Sequence, residues 1–304
     1  MMLGSPAYSG PERRKAARWR SRPLRLLLAL LIFVAIGYMG AVIWLMTQET
    51  RLVFQAGATL GSARPPFPFE QIDLPRTDGH RQFAWRMPRE VAGNAPWVLF
   101  LHGNAATIAS NVNISHYRVL KMVGVNILAP EYRGFSGLDG TPTEDALAAD
   151  ARTAYEYLRG TVHVPPSRLI VYGWSLGSAV AVRLAADADE AAVILEGAPA
   201  SIADIGQQQY PFFPIRLVMR SKFDSFRRID RIRAPILFLH SPEDAVIPIA
   251  EGRRLYEAAR TEKTFVEVRG GHVYASSADQ AHFVSAISAF LAQHGLGTAG
   301  SLQR

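Results

Sequence analysis

The feature that most constrains this chain is a run of 21 residues without a charged side chain, from Leu26 to Met46. As an α-helix the run would be ~31 Å long, which matches a membrane hydrocarbon core of ~30 Å. A buried helix of a soluble protein rarely stays apolar beyond about 14 residues, and the apolar region of a cleaved signal peptide is about 7–15 residues long. The run also ends in bulky rather than small residues. We therefore predict that residues 26–46 form a retained transmembrane signal anchor.

The charges before this run predict its orientation. Residues 1–25 contain seven basic residues and one acidic residue, so they hold most of the formal net charge of +7. The positive-inside rule keeps this basic segment in the cytoplasm and places the rest of the chain on the extracytoplasmic side. The excess of Arg over Lys, 29 to 4, is typical of GC-rich bacterial genomes, which would make that side the periplasm and the membrane the bacterial inner membrane.

Composition excludes several other classes of function. A nucleic-acid-binding protein would spread its basic residues over a folded face, whereas here they precede an apolar run, so no nucleic-acid partner is expected. The chain has no cysteine, which excludes disulfides, thiolate metal sites and a cysteine nucleophile. We expect no metal and no organic cofactor, and the sequence leaves the oligomeric state open.

Beyond the anchor, strand-like runs alternate with helical patterns. The expected strands are residues 70–75, 81–87, 97–101, 125–129, 168–173, 192–196, 235–240 and 264–268. The expected helices are residues 106–123, 143–159, 176–187, 249–260 and 277–293. Several strands are continuous apolar runs, as in a sheet that is covered on both faces. This alternation predicts an α/β fold with an open, mostly parallel sheet.

The same pattern predicts the domain limits. Residues 47–69 form a juxtamembrane linker that ends in a Pro-rich turn, residues 70–293 form the folded domain, and residues 294–304 form a flexible tail. The 38 residues between Glu196 and Pro235 contain both aromatic and basic side chains. Because long connections on such sheets often cover a site, we predict that residues 197–234 form a small cap, although an ordinary crossover helix remains the alternative.

A nucleophile motif lies between a strand and a helix. Residues 173–177 read Gly-Trp-Ser-Leu-Gly, the G-x-S-x-G pattern in which a serine occupies a tight, strained turn. The neighbouring glycines are needed because a side chain there would collide with the turn. The pattern alone is weak, but its position after an apolar strand makes Ser175 the candidate nucleophile.

A second motif supplies candidate oxyanion donors. His102, Gly103, Asn104 and Ala105 follow the strand 97–101 directly, and a loop there can aim a backbone N–H at the oxygen that gains charge during acyl transfer. We assign the N–H groups of Asn104 and Leu176 to this role, with Ala105 as an alternative to Asn104. His102 is expected to pack rather than to react.

A serine hydroxyl needs a base that a carboxylate orients, and two loops at strand ends can supply these groups. The strand 235–240 leads to Asp244, and the strand 264–268 leads to His272. The order Ser175, Asp244, His272 is the order expected when such a triad sits on an open α/β sheet. Glu243 and Glu196 remain alternative acids.

Three other histidines are not assigned to the reaction. His282 falls within the last helical pattern, and His116 and His163 have no motif around them.

Taken together, these motifs resemble those of the α/β-hydrolase-fold serine hydrolases. The resemblance rests on H-G-N-A at 102–105, Y-R-G-F-S-G at 132–137, G-W-S-L-G at 173–177, H-S-P-E-D-A-V-I-P at 240–248 and G-G-H at 270–272. The anchor followed by the sequence R-L-V-F at 51–54 is similar to the membrane-anchored branch, which includes protein depalmitoylases and lysophospholipid lipases. The resemblance implies an eight-stranded sheet with an antiparallel second strand, helices on both faces and an acyl-enzyme mechanism.

The sequence thus predicts a membrane-anchored serine hydrolase that cleaves carboxylic esters or thioesters, with a small-molecule or lipid acyl substrate. Because amide cleavage needs the same groups, a serine peptidase of this fold is one alternative. A catalytically silent, membrane-bound binding protein is the other.

Overall fold

A computed structural model describes residues 11–56, 61–75, 79, 81–89 and 93–297 of the chain. Its first helix, α1 (Pro11–Thr47), contains a segment, Pro23–Thr47, that is long and apolar enough to cross a membrane, with a mean hydropathy of 2.7. The chain divides into two compact units between Glu49 and Thr50. The apolar helix belongs to the first unit, and all the strands belong to the second.

The second unit alternates strands and helices as the apolar pattern predicts. The strands are β1 (Glu70–Asp73), β2 (Phe83–Met87), β3 (Trp97–Leu101), β4 (Asn126–Pro130), β5 (Leu169–Trp174), β6 (Ala192–Glu196), β7 (Ile236–His240) and β8 (Lys263–Glu267). The helices are α2 (Glu49–Phe54), α3 (Asn111–Val123), α4 (Glu144–Glu156), α5 (Leu176–Ala185), α6 (Ile202–Gln209), α7 (Ile215–Val218), α8 (Ile249–Ala258), α9 (Gly271–Ala278) and α10 (Gln280–Gln293).

The eight strands form one sheet in the order β1-β2-β4-β3-β5-β6-β7-β8. β2 runs antiparallel to both β1 and β4, whereas all pairs from β4 to β8 are parallel. The expectation of a mostly parallel eight-stranded sheet with an antiparallel second strand is therefore confirmed. Parallel neighbours bring the carboxyl ends of β3, β5, β6, β7 and β8 to the same edge of the sheet.

Two apolar layers cover the sheet, one on each face. Side chains of β3 alternate between them, with Leu99 and Leu101 in one layer and Val98 and Phe100 in the other. Helices α4, α5 and α8 contribute to the first layer, and α3, α9 and α10 contribute to the second. This two-sided burial explains why these strands are continuous apolar runs in the sequence.

The helix expected at residues 106–123 begins at Asn111 instead. Side chains on either side of its first residue bond to nearby backbone groups: the N–H of Thr107 donates to Ser110 Oγ at 2.9 Å, and Asn113 Nδ2 donates to the carbonyl of Thr107 at 2.7 Å. Such local bonds compete with helical hydrogen bonds. Residues 104–110 are therefore a loop, and this loop forms part of the site described below.

The structure describes the first four residues, 294–297, of the segment expected to form a tail at 294–304. Leu296 is only 2% exposed and lies in the apolar layer with α3 and α10. Gly295 adopts a φ of +70°, which turns the chain so that the N–H of Leu296 donates to the carbonyl of Leu291 at 2.7 Å. Residues 298–304 lie outside the described residues, as do residues 1–10 of the basic segment.

The segment between β6 and β7, predicted as a cap, contains α6 and α7. A single antiparallel bridge joins Ser201 to Asp224 and closes the segment on itself. Large apolar side chains of this segment are exposed, with Phe212 at 86% and Leu217 at 81%.

Candidate active site

The turn between β5 and α5 holds Ser175 in a strained conformation. Ser175 has a φ of +55° and a ψ of −124°, which L-residues rarely adopt. The turn is tight enough that a Cβ at Gly177 would lie 2.0 Å from the carbonyl oxygen of Leu101 in β3. The motif's second glycine is therefore required by the close approach of α5 to β3.

Two side chains from other strand ends reach this serine. Ser175 Oγ lies 2.8 Å from His272 Nε2, and His272 Nδ1 lies 2.6 Å from Asp244 Oδ2. His272 is the second residue of α9, and Asp244 lies in the loop after β7. The structure thus brings the three residues singled out in the sequence into one hydrogen-bonded chain, although 97 positions separate Ser175 from His272.

The surroundings of Asp244 keep it ionised. Burial on its own would raise the pKa of Asp244, but the hydrogen bond and charge of His272 outweigh it and hold that pKa below its ordinary value. The backbone N–H groups of Val246 and Ile247 add two more bonds to Asp244 Oδ1, at 2.9 and 2.7 Å. An ionised, fixed carboxylate can orient the imidazole and stabilise its protonated form.

The two alternative acids have other partners. Glu243 accepts a hydrogen bond from the N–H of Gly270 at 3.2 Å. Glu196 Oε2 bonds to His116 Nε2 at 2.8 Å and to the hydroxyl of Tyr172. Neither carboxylate is bonded to His272, so the geometry favours Asp244 as its partner.

The loop at residues 102–105 lies directly against the serine. A Cβ at Gly103 would lie only 3.1 Å from Ser175 Cβ, so the loop backbone passes beside the nucleophile. The N–H of Ala105 donates to the carbonyl of Phe54 at 3.1 Å. Because that donor is engaged, Asn104 is the better placed of the two donors considered in this loop.

The other candidate donor lies at the start of α5. Leu176 is the first residue of that helix, and a first-turn N–H has no partner inside its own helix. The helix N-terminus also favours a negative charge beside it.

His102 is buried and takes part in a separate network. Its Nδ1 lies 2.8 Å from the carbonyl of Gly103, and its Nε2 lies 2.8 Å from Glu131 Oε1. Glu131 also accepts from the N–H of Ile108 and from the hydroxyl of Ser136. This network fixes the loop's start, in agreement with the expectation that His102 packs rather than reacts.

Sequence reasoning missed the surroundings of Trp174. Its ring lies between those of His116 and His272, at centroid distances of 5.2 and 5.9 Å, and its Nε1 donates to the carbonyl of His272 at 3.3 Å. Trp174 is the first of the two variable residues of the G-x-S-x-G motif, so the motif gives no signal for it. His282, by contrast, is exposed and bonds to Asp279, as expected for a surface histidine.

A cavity of about 560 Å³ opens beside the serine. The following residues line it: Gln55, Gly61, Ser62, Ala63, Asn104, Ala105, Ala106, Ala109, Ser110, Asn111, Val112, Trp174, Val246, His272 and Val273. His272 is the one ionisable side chain in this described lining. Among the side chains that the structure describes, no group of three or more His, Asp and Glu residues is arranged to hold a metal ion.

Comparisons with known proteins agree with this architecture. The sequence profile of the Alpha/beta hydrolase family matches residues 98–228. The chain is 33% identical over 269 residues to the uncharacterized protein Rv2307c of Mycobacterium tuberculosis, covering 88% of this chain and 95% of that protein. It is also 30% identical to the lysophosphatidylserine lipase ABHD12 of Rattus norvegicus over 58% of this chain, which corresponds to 48% of the lipase.

Solved structures show the same fold at lower identity. The Pyrococcus furiosus esterase Pf2001 superposes with a TM-score of 0.64 and 18% identity, covering 77% of this chain and 97% of the esterase.

Proposed function

Because this chain belongs to the alpha/beta hydrolase family, we propose that it is a membrane-anchored serine hydrolase that cleaves carboxylic esters or thioesters. Its relatives include esterases and lipases. The observation that carries the proposal is the chain of contacts from Ser175 through His272 to Asp244, at 2.8 and 2.6 Å, in which His272 lines a cavity.

In the proposed reaction His272 acts as the general base. Its Nε2 takes the proton of Ser175 Oγ while that oxygen attacks the carbonyl carbon of the ester. Asp244 holds the imidazole in the required tautomer and stabilises the imidazolium that forms. The imidazolium then gives its proton to the leaving alcohol or thiol, and the acyl group remains on Ser175.

Water completes the cycle by the same groups. His272 removes a proton from a water molecule that attacks the acyl-enzyme, and it returns that proton to Ser175 Oγ as the carboxylic acid leaves. In both halves the substrate oxygen becomes negatively charged. The N–H groups of Asn104 and Leu176 are the proposed donors to that oxygen, and losing one such donor costs about 3–4 kcal/mol of barrier stabilisation in comparable enzymes.

The relatives and the cavity support a proposal for the substrate class. ABHD12 is named for hydrolysis of a lysophospholipid, and we propose an ester-linked acyl substrate here as well. Residues 197–234 would act as the cap, and their exposed Phe212 and Leu217 suit a lipid-like molecule.

The helix Pro23–Thr47 is the proposed membrane anchor. The basic residues within 1–25 would keep its N-terminus in the cytoplasm, and the hydrolase unit would then lie in the periplasm of a bacterium, tethered to the inner membrane.

Replacement of the nucleophile tests the reaction. We expect Ser175→Ala to abolish hydrolysis of a short p-nitrophenyl ester while leaving the unfolding temperature nearly unchanged. Wild-type turnover by that variant would contradict the proposal. A panel of acyl esters and aminopeptide substrates, assayed with the wild type, separates an esterase from a peptidase.

A further inference from the structure

The segment that follows the apolar helix is packed into the candidate active site. We call residues 50–56 and 61–63 the inner linker. These residues fall in the stretch that sequence pattern predicts to be a spacer, yet they belong to the same compact unit as the sheet. Three sets of contacts connect them to the proposed oxyanion loop, to the apolar core and to the cavity.

The first set joins the end of α2 to the loop at 102–105. Asn104 Nδ2 donates to the carbonyl of Val53 at 3.1 Å, and the N–H of Ala105 donates to the carbonyl of Phe54 at 3.1 Å. Ala105 has a φ of +51°, a conformation that costs energy for a non-glycine residue and needs support from its surroundings. The two carbonyls at the C-terminus of α2 provide that support.

The second set fixes α2 from its other side. The side chain of Phe54 is 1% exposed and packs in the apolar core. Its ring meets the ring of Phe223, in the segment between β6 and β7, edge to face at 5.9 Å. The position of the two carbonyls is therefore set by the core of the hydrolase unit.

The third set builds one wall of the cavity. The N–H of Ala63 donates to the carbonyl of Ala109 at 2.9 Å, and a Cβ at Gly61 would lie 2.3 Å from the carbonyl carbon of Ala109. This close docking brings Gln55 and residues 61–63 into the cavity lining, which also includes Trp174 and His272.

From these contacts we propose that the inner linker is a working part of the active site. The carbonyls of Val53 and Phe54 position the N–H of Asn104 toward the oxyanion, and residues 61–63 form the wall against which the substrate binds. Because His272 is the one ionisable side chain in the described lining, the cavity accepts an uncharged part of the ester. This inference rests on the proposed hydrolase function.

Two variants of the full-length chain test the two roles separately. Asn104→Ala removes the side-chain bond to Val53 and keeps the backbone N–H, so we expect kcat to fall about 10–100-fold with KM nearly unchanged. Asn104→Asp keeps the volume but turns a donor into an acceptor, and we expect the same fall. In Gly61→Ala the new methyl forces the wall away from Ala109, so KM should rise more than kcat falls.

Each variant has a matched control. Asn126→Ala also removes asparagine side-chain bonds to backbone groups, the carbonyl of Ala95 at 3.0 Å and the N–H of Arg89 at 2.7 Å, but at the opposite edge of the sheet. Gly93→Ala adds a methyl where no atom lies within 4 Å. Both controls should keep the wild-type kcat and KM. Among substrates of equal length, p-nitrophenyl butyrate should have a lower KM than the anionic p-nitrophenyl hemisuccinate.

Wild-type kcat in both Asn104 variants, or a wild-type KM in Gly61→Ala, would overturn the inference about the inner linker. A lower KM for the anionic ester would overturn the ligand class. Either result leaves the requirement for Ser175 intact, so it is distinguishable from failure of the proposed function, in which Ser175→Ala itself remains active.

Discussion

The rim of the sheet and the buried layer beside it each hold a histidine against a carboxylate at almost the same distance. His272 lies 2.6 Å from Asp244 at the rim, and His116 lies 2.8 Å from Glu196 in the interior. The two histidines differ in the group that their other ring nitrogen contacts. His272 Nε2 faces the hydroxyl of Ser175, whereas His116 Nδ1 faces the carbonyl of Val112 at 2.8 Å.

A carbonyl oxygen has no proton to give, so His116 is held as a donor on that side and cannot act as a base there. A hydroxyl can give its proton, so His272 can accept one. His102 follows the interior pattern, with a carboxylate on one nitrogen and the carbonyl of Gly103 on the other. All three histidines have a carboxylate on one ring nitrogen. What distinguishes the candidate base from the structural histidines is therefore the group bonded to the other ring nitrogen.

Replacing the rim histidine should have the largest effect. His272→Ala removes the proposed base, and we expect kcat/KM to fall by about 10⁴-fold or more, as for other triads. The free energy of unfolding should fall by less than when an interior pair is broken, because Asp244 keeps its two bonds from the N–H groups of Val246 and Ile247. Steady-state hydrolysis of p-nitrophenyl butyrate and urea unfolding measure the two quantities. Retained activity would show that the contact at the rim is as structural as those in the interior.

Replacing the rim carboxylate should have a somewhat smaller effect. Asp244→Asn keeps the shape but removes the charge that stabilises the imidazolium, and a loss of about 10³–10⁴-fold in kcat is expected. The matched variant Glu243→Gln changes the neighbouring carboxylate, which bonds to Gly270 instead, and it should retain most of the activity. Equal losses in the two variants would contradict the assignment of Asp244.

The interior pair should affect stability rather than turnover. His116→Leu leaves Glu196 buried without its imidazole partner, and breaking a buried pair costs about 3–5 kcal/mol in the free energy of unfolding. The folded variant should keep a kcat/KM close to that of the wild type. Urea titration and initial rates test both parts. A large loss of kcat with unchanged stability would contradict the claim that the interior pair is structural and the rim pair catalytic.

A third carboxylate, that of Glu190, should make the stability of the protein depend on pH. Burial, helped by the charge of Asp189, raises the pKa of Glu190 to about 8, and one of its oxygens is buried with no hydrogen-bond partner among the described residues. The native state then keeps a proton that the unfolded state loses near pH 4.5, so stability falls as pH rises from there toward 8.

Glu190→Gln removes this dependence, because the amide does not ionise. The variant should be more stable than the wild type by roughly 1–3 kcal/mol at pH 8 and nearly equal to it at pH 5. Urea unfolding at both pH values measures the difference. A gain that is the same at both values would show that the effect does not come from ionisation.

Much of this architecture can be predicted from the sequence because its signals are local. The central strands β3 to β7 are short, mostly apolar runs, and His272 comes five residues after the end of β8. The buried pair of a histidine and a carboxylate is harder to predict from the sequence. His116 and Glu196 are 80 positions apart, and neither belongs to a motif that implies the other.

Other features depend on backbone groups, which a side-chain pattern does not reveal. The inner linker is held by the carbonyls of Val53 and Phe54, so its sequence looks like that of a spacer. The late start of α3 likewise follows from side-chain bonds of Thr107 and Asn113 to nearby backbone groups. Leu296 lies in a region of Gly and polar residues and gives too short a pattern to indicate burial.

The reactivity of one hydroxyl tests the central claim most directly. Full-length protein is treated with a fluorophosphonate probe, digested and mapped by mass spectrometry. The account predicts a stoichiometric adduct on Ser175 in the wild type, a strongly slowed reaction in His272→Ala and no adduct in Ser175→Ala. A folded wild type that stays unlabelled, or that carries the adduct on another residue, would contradict it.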